Sequence, residues 1–105
     1  MLIINVAKEF TRFPSGRFKA NGDTSGEAFR QRFLEPALRE GKDITVELDG
    51  TIGYGSSFLE EAFGGLVRSL KIEPQTIKLK LHVKSQDLSL IEEIYEYISD
   101  ARPVN

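Results

Sequence analysis

The 105-residue chain has no cysteine and no tryptophan, and only one histidine and one methionine. Without cysteine there is neither a disulfide framework nor a thiolate metal site, and a reducing compartment suits such a chain. A single histidine, His82, among scattered carboxylates shows no metal-ligand spacing. No apolar run approaches the ~18 residues that span a bilayer. The opening Met1-Leu2-Ile3-Ile4-Asn5-Val6 lacks the basic and long apolar regions of a signal peptide. Charge of one sign is missing too: 14 basic side chains face 16 acidic ones, a formal net charge of −2. That balance leaves no electrostatic footprint for nucleic acid or an anionic membrane. The expectation is a cytoplasmic domain without metal, cofactor, nucleic acid or membrane as partner. What is present is a core: 40% of residues are apolar, with seven Phe and three Tyr, enough for one domain over residues 1–105 and no second.

Residues 2–6 read as a strand. Residues 9–13 and 17–20 flank Pro14-Ser15-Gly16, a chain-reversing turn, so 1–20 are expected to hold N-terminal strands, as a hairpin or as separate short pieces. Thr24 with Glu27 predicts a capping box. The helix it opens buries Phe29, Phe33 and Ala37, is interrupted at Pro36 and ends at Gly41. Ile44, Val46 and Leu48 alternate with Thr45, Glu47 and Asp49 as a strand. Ser57 and Glu60 predict a second capping box, before an apolar stripe of Phe58, Leu59, Ala62, Phe63, Leu66, Val67 and Leu70. Gly64 and Gly65 inside that helix read as close helix-to-sheet packing or as a ligand contact. Past Pro74, Ile77, Leu79, Leu81 and Val83 alternate with Lys78, Lys80 and His82, the cleanest strand pattern in the chain. Asp87 or Ser85 caps a last helix with Leu88, Ile91, Ile94, Tyr95 and Ile98 inward, and 99–105 are expected to fray. Strand–helix–strand order implies parallel pairing, and strands with one polar face imply helices on one side of the sheet. Glu47 and Asp49 are then expected near Lys78 and Lys80. The whole reads as an α/β domain with a mixed four- to five-stranded sheet and helices mainly on one face.

The junction Asp49-Gly50-Thr51-Ile52-Gly53-Tyr54-Gly55-Ser56-Ser57 joins a strand's carboxyl end to a helix's amino end, where open α/β sheets place ligands. Its glycines allow positive φ or a close approach. Ser56 and Ser57 stand where unpaired N–H groups and the helix dipole favour negative charge. Ser57 could instead merely cap the helix above a tight turn. The string is neither a Walker A loop nor a dinucleotide-binding fingerprint. Arg12, Arg17 and Lys19 form a small basic cluster, while Glu60-Glu61 and Glu92-Glu93 read as solvated helix faces. Asp49, Ser57 and His82 show no base–nucleophile spacing, so no enzyme is expected. A small-molecule or nucleotide site on the glycine-rich turn is the alternative to a protein-binding role.

The order of elements and the string Tyr54-Gly55-Ser56-Ser57-Phe58-Leu59-Glu60-Glu61-Ala62-Phe63-Gly64-Gly65-Leu66, with Gly16-Arg17, Thr24-Ser25-Gly26-Glu27 and Phe29-Arg30, carry a resemblance. Over residues 12 to 85 the chain resembles the bacterial STAS-like family, itself similar to the STAS anti-sigma-factor antagonists. In those antagonists a hydroxyl after a strand-end acid is phosphorylated by a GHKL-type ATPase or kinase, and phosphorylation releases that partner. The resemblance implies a regulatory module with Asp49 as the strand-end acid and Ser56 or Ser57 as the modified hydroxyl. Gly53, Tyr54 and Gly55 would shape the contact. Gly55 stands where the antagonists carry a second aspartate.

Overall fold

In the computed structural model, which describes residues 2–103, strand β1 (Leu2–Asn5) runs into a single helical turn, α1 (Val6–Glu9), capped by Asn5 Oδ1 accepting from the Lys8 N–H. A loop with one 3-10 turn (Lys19–Asn21) leads to helix α2, residues 26–39. Then follow β2 (Ile44–Glu47), helix α3 over residues 56–70, α4 (Pro74–Lys80), β3 (Leu81–Lys84) and α5 (Leu88–Asp100). The strands are parallel in the order β1-β2-β3, with Ile4, Val46 and Val83 in one row and Asn5, Glu47 and Lys84 in another.

The sheet of the described residues is therefore three-stranded and wholly parallel, not mixed with four or five strands. Among the described residues no N-terminal hairpin forms: beyond β1, residues up to 20 hold α1, an irregular loop and the start of the 3-10 turn. The alternating segment 77–83 is also divided. Proline fits the first turn of a helix because its missing N–H is unneeded there, and Pro74 starts α4 after an extended Glu73. Ile77 is buried but Leu79 is 75% exposed, so the period of two breaks and only Leu81 to Lys84 pair as a strand. Glu47 accordingly lies in register with Lys84. Lys80 sits 3.7 Å from Asp43 and the Lys78 ammonium donates to Ser99 Oγ, neither meeting the acids expected. At the other end Ala101 is buried, with its N–H on the Tyr97 carbonyl. Of the tail expected to fray, Val104 and Asn105 lie outside the described residues.

One sheet face is buried. Ile4, Ile44, Val46, Leu81 and Val83 join one core with Phe29, Phe58, Phe63 and Ile94 of the helices. The opposite face leaves Ile3 55% exposed and His82 exposed, with Thr45 buried between their register positions.

Both long helices repeat their inward residues at intervals of four: Phe29, Phe33 and Ala37 in α2; Phe58, Ala62, Leu66 and Leu70 in α3. An α-helix turns every 3.6 residues, so a four-residue repeat would drift around it by about 40° per repeat. Each helix widens midway into a π-helical stretch, Arg30–Leu34 in α2 and Glu60–Gly64 in α3. Such a turn absorbs the extra residue and keeps the stripe on the core. Pro36 falls just after the first widening, where the α-helix restarts as Glu35–Arg39, so its missing N–H costs little and the helix continues. Gly41, at φ +73°, ends it as expected, with Gly41 N–H on Leu38 O and Lys42 N–H on Ala37 O, both 3.0 Å.

Between the two widenings lies Arg30, 5% exposed. Its Nη1 donates to the Glu61 carbonyl (2.8 Å) and to Glu61 Oε2 (2.6 Å), and its Nε to Glu35 Oε2 (2.7 Å). Gly65 has to be glycine because a Cβ there would run into this guanidinium, and a Cβ on Gly64 would meet the Glu60 carboxylate and the Tyr97 carbonyl of α5. The glycine pair thus serves helix–helix packing rather than helix–sheet contact. Gly26 does the same at the crossing of α2 and α3, where a Cβ would overlap the Phe58 carbonyl oxygen.

Burial alone would raise the Glu35 carboxyl, but hydrogen bonds from Arg30, Ser69 and Arg39 outweigh it and hold the pKa below the ordinary value. Hydrogen bonding to Arg68, and then to Arg17, lowers Glu60 against its own burial. As pH falls the unfolded chain protonates these carboxyls first, so their contribution is full above about pH 4.5, the ordinary value, and disappears as pH drops through the lowered values. Urea midpoints measured from pH 6 down to pH 3 should fall steadily below that point. Removing one partner of a buried pair leaves the other charge uncompensated. Arg30→Met should therefore lower unfolding free energy by about 3–5 kcal/mol in denaturant titration; a loss below about 1 kcal/mol would mean the pair contributes no more than a surface contact does.

Candidate functional site

The chain leaves the sheet only after Leu48, whose N–H donates to Lys84 O (2.9 Å). Asp49 then turns toward the β3–α5 loop: its carboxylate accepts from Ser85 Oγ (2.9 Å) and from the Gln86 N–H (3.2 Å to each oxygen). Ser85 Oγ accepts from the Asp87 N–H, and Asp87 caps α5 through Ser89 and Leu90 N–H. Of the two caps expected for this helix, Asp87 is the one used, and Asp49 fastens the neighbouring loop.

Gly50 (φ +103°) and Gly53 (φ +137°) reverse the chain in a region that L side chains rarely adopt. Thr51 Oγ1 accepts from the Gly53 N–H, and the Ile52 N–H donates to Arg12 O (3.0 Å), tying this turn to the loop before α2. Tyr54 folds back beneath: its hydroxyl donates to Leu48 O (2.6 Å) and its ring packs 5.9 Å from that of Phe58. Burial pushes the phenol pKa up to about 12.

Helix α3 starts at Ser56, with Gly55 as its N-cap and no side chain capping it. The expected Ser57–Glu60 capping box is absent because the Glu60 carboxylate is taken by Arg68 (2.7 and 3.0 Å) and Arg17 (2.5 Å). Ser56 and Ser57 are exposed, and their hydroxyls have no hydrogen-bond partner among the described residues. The other expected box moves by one residue: buried Ser25 caps α2 by accepting from the Ala28 N–H (3.1 Å), and Glu27 accepts from the Lys19 N–H (2.8 Å). Within the same junction Ile52 is 73% exposed, and Phe13, next in sequence to the Arg12 whose carbonyl accepts from Ile52, is 57% exposed.

The residues expected at the junction thus divide by role. Asp49 and Tyr54 hold the turn, Gly53 reverses it together with Gly50, Gly55 stands in an ordinary extended conformation as the N-cap, and Ser56 and Ser57 are exposed. Among the described residues no hydrogen bond joins Asp49, Ser57 and His82, and no group of acids and histidine could hold a metal ion. No helix of the described residues is long and apolar enough to cross a membrane.

A cleft of about 580 Å³ lies at the strands' carboxyl ends, lined by Asn5, Glu47, Asp49, Lys84, Ser85 and Gln86 among others. It shares Asp49 with the junction but none of the residues from Gly53 to Ser57. The order β1-β2-β3 contains no reversal, hence no switch point at which helices part to make a ligand crevice.

The charged residues beside the junction differ from the surface features expected. Glu61 is buried, not solvated, and Arg17 is paired with Glu60 and Glu61 (3.3 Å) rather than standing in a free basic cluster. Residue type alone gave no signal for this network.

Tyr54→Phe removes one half-buried hydrogen bond and should cost about 1 kcal/mol. Ser57→Ala, with no cap to lose, should stay within about 0.5 kcal/mol of the parent. Equilibrium unfolding of both variants checks the division between holding and outward-facing residues.

A scan of family models matches residues 25–89 to the family described as a STAS-like domain of unknown function (DUF4325). No curated protein and no solved structure matches the chain. With more than half of its length matched, and with the strand–turn–helix junction inside the matched region, the chain belongs to the family of STAS-like domains of unknown function.

Proposed function

We propose that this chain is a regulatory interaction module that docks an ATPase- or kinase-type protein through the amino end of α3, with Ser56 or Ser57 as the residue that is phosphorylated. The observation that carries this role is the pair of exposed, unbonded hydroxyls at the start of a helix whose next turns are fully packed. A rigid helix presents them, so a modification changes the surface without unfolding its support. Exposed Ile52 of the same junction, and Phe13 of the loop bonded to it, would supply apolar contact area, as protein interfaces have at their centre.

A phosphate there would meet the positive end of the helix dipole and add about −1.5 to −2 charge. It would repel an acidic partner surface and so release it, the behaviour that the likeness to anti-sigma-factor antagonists implies. Membership of a STAS-like family is consistent with regulation of this kind. The second aspartate of those antagonists is replaced here by Gly55, so the partner has to find the serine by the turn's shape, set by Gly53 and Tyr54. No catalytic step is assigned to the chain, and its partner supplies the nucleotide chemistry.

Protein recovered from its native cell should carry phosphate on Ser56 or Ser57 by mass spectrometry. Replacing the modified serine with Asp should reduce capture of the partner. If native protein carries no phosphate and both serine variants capture the partner normally, the switch does not exist.

A further inference from the structure

All five helices of the described residues send buried side chains into one core behind the sheet, with Ile4, Ile44, Val46, Leu81 and Val83. The other sheet face leaves Ile3 and His82 exposed. Parallel sheets are almost always covered on both faces, so this one is a layer short.

The charges on the open face are sorted by strand. Asp43, Thr45 and Glu47 alternate with the buried Ile44, Val46 and Leu48, and Lys80, His82 and Lys84 alternate with the buried Leu81 and Val83. The register sets Thr45 beside His82 and Glu47 beside Lys84, and the Lys80 ammonium lies 3.7 Å from Asp43. An acidic column on the central strand thus runs alongside a basic column on β3. A second copy can be laid face to face with the two-fold axis along the strands, midway between β2 and β3. Asp43 then faces Lys80 of the second copy, Thr45 faces His82 and Glu47 faces Lys84, each contact occurring twice. Turning the axis across the strands would set β2 on β2 and β3 on β3, acid on acid and lysine on lysine.

The sheet edges are less open than the face. The Leu2 N–H donates to Asp43 O and the Leu48 N–H to Lys84 O, so in parallel ladders Asn5 of β1 and Leu81 of β3 turn their backbone outward. The Asn5 N–H is taken by Glu9 Oε2 (2.7 Å). The Leu81 N–H is taken by Ile77 O, and its carbonyl accepts from the Tyr95 hydroxyl (3.2 Å). Edge groups engaged in this way discourage an added strand.

We propose that the open face is a homodimer interface, in which a second copy of this chain supplies the missing layer by setting its basic column on the acidic one. The face measures roughly 14 Å by 13 Å, three strands of four residues, far below the ~800 Å² per partner of a standard interface. The dimer is therefore of the weak, transient class, held by paired charges. Helix α3 packs on the opposite face of the sheet, so the dimer does not depend on the docking role of its serines.

Sedimentation velocity of the full chain over a concentration series reads the association. A dimer should form at low ionic strength and weaken as salt shortens the screening length from roughly 30 Å to roughly 3 Å. Glu47→Lys alone, or Lys84→Glu alone, turns two attractive contacts repulsive and should raise the dissociation constant roughly tenfold or more. In an equimolar mixture of the two variants every facing pair is again opposite in sign, so a heterodimer as tight as the parent dimer should appear. That recovery also shows both variants to be folded. A parent chain that stays monomeric at low salt, single variants that dimerise like the parent, or a mixture of folded variants that fails to associate would each overturn the interface. A single variant that dimerises more tightly than the parent would overturn the axis along the strands.

Discussion

In a regular α-helix the Glu61 carbonyl would accept from the N–H four residues on, that of Gly65. Here the Gly65 N–H turns instead to Glu60 and Phe63, and the Glu61 carbonyl accepts from Arg30. A buried guanidinium from one helix has taken a place in the backbone ladder of the other. That single exchange accounts for several features at once. It needs a residue without Cβ at position 65, a carboxylate at 61 to balance the charge, and a second carboxylate at 35 for the remaining edge of the guanidinium. It also fixes how α2 and α3 cross, since neither can slide without leaving a buried charge unpaired.

From this buried centre the charges run outward in steps. Arg30 is enclosed, Glu61 nearly so, Glu60 is partly shielded, and Arg17 and Arg68 lie at the rim with about a third of their side chains exposed. Electrostatic interaction weakens along the same path as water screens it. The inner pairs therefore hold the fold, and the outer ones contribute little to it. Ser56 and Ser57 stand exposed at the amino end of the same helix, ahead of its buried turns.

How much of this could be read from the residues differs from element to element. The α/β class, the positions of α2, α3 and α5, the strand at 44–47 and the family were legible because long apolar periods and the junction string are strong signals. The split at residue 81 was not. Ile77, Leu79, Leu81 and Val83 satisfy a period of two, while Ile77 and Leu81 alone satisfy a helical spacing of four, and only tertiary burial decides between them. The same repeat of four in α2 and α3 was visible as an apolar stripe. Its excess over 3.6 residues per turn was the available sign of the π-helical stretches. The capping boxes failed for a different reason: Thr24 and Ser57 match the pattern, but Glu27 bonds the Lys19 N–H and Glu60 bonds Arg68, each eight residues away, and Glu60 also bonds Arg17, forty-three away. Nothing local marks Arg30 as buried, because arginine is ordinarily a surface residue and its partners lie five and thirty-one positions away.

The exchange at Glu61 can be seen directly by NMR scalar coupling across hydrogen bonds in the isotopically labelled chain. The Gly65 amide nitrogen should couple to the carbonyl carbon of Glu60, and the Glu61 carbonyl carbon should couple to no backbone amide four residues on. Coupling of Gly65 to Glu61 instead would show a regular helix there. It would remove Arg30 from the ladder and, with it, the anchor that holds the serines of α3 in place.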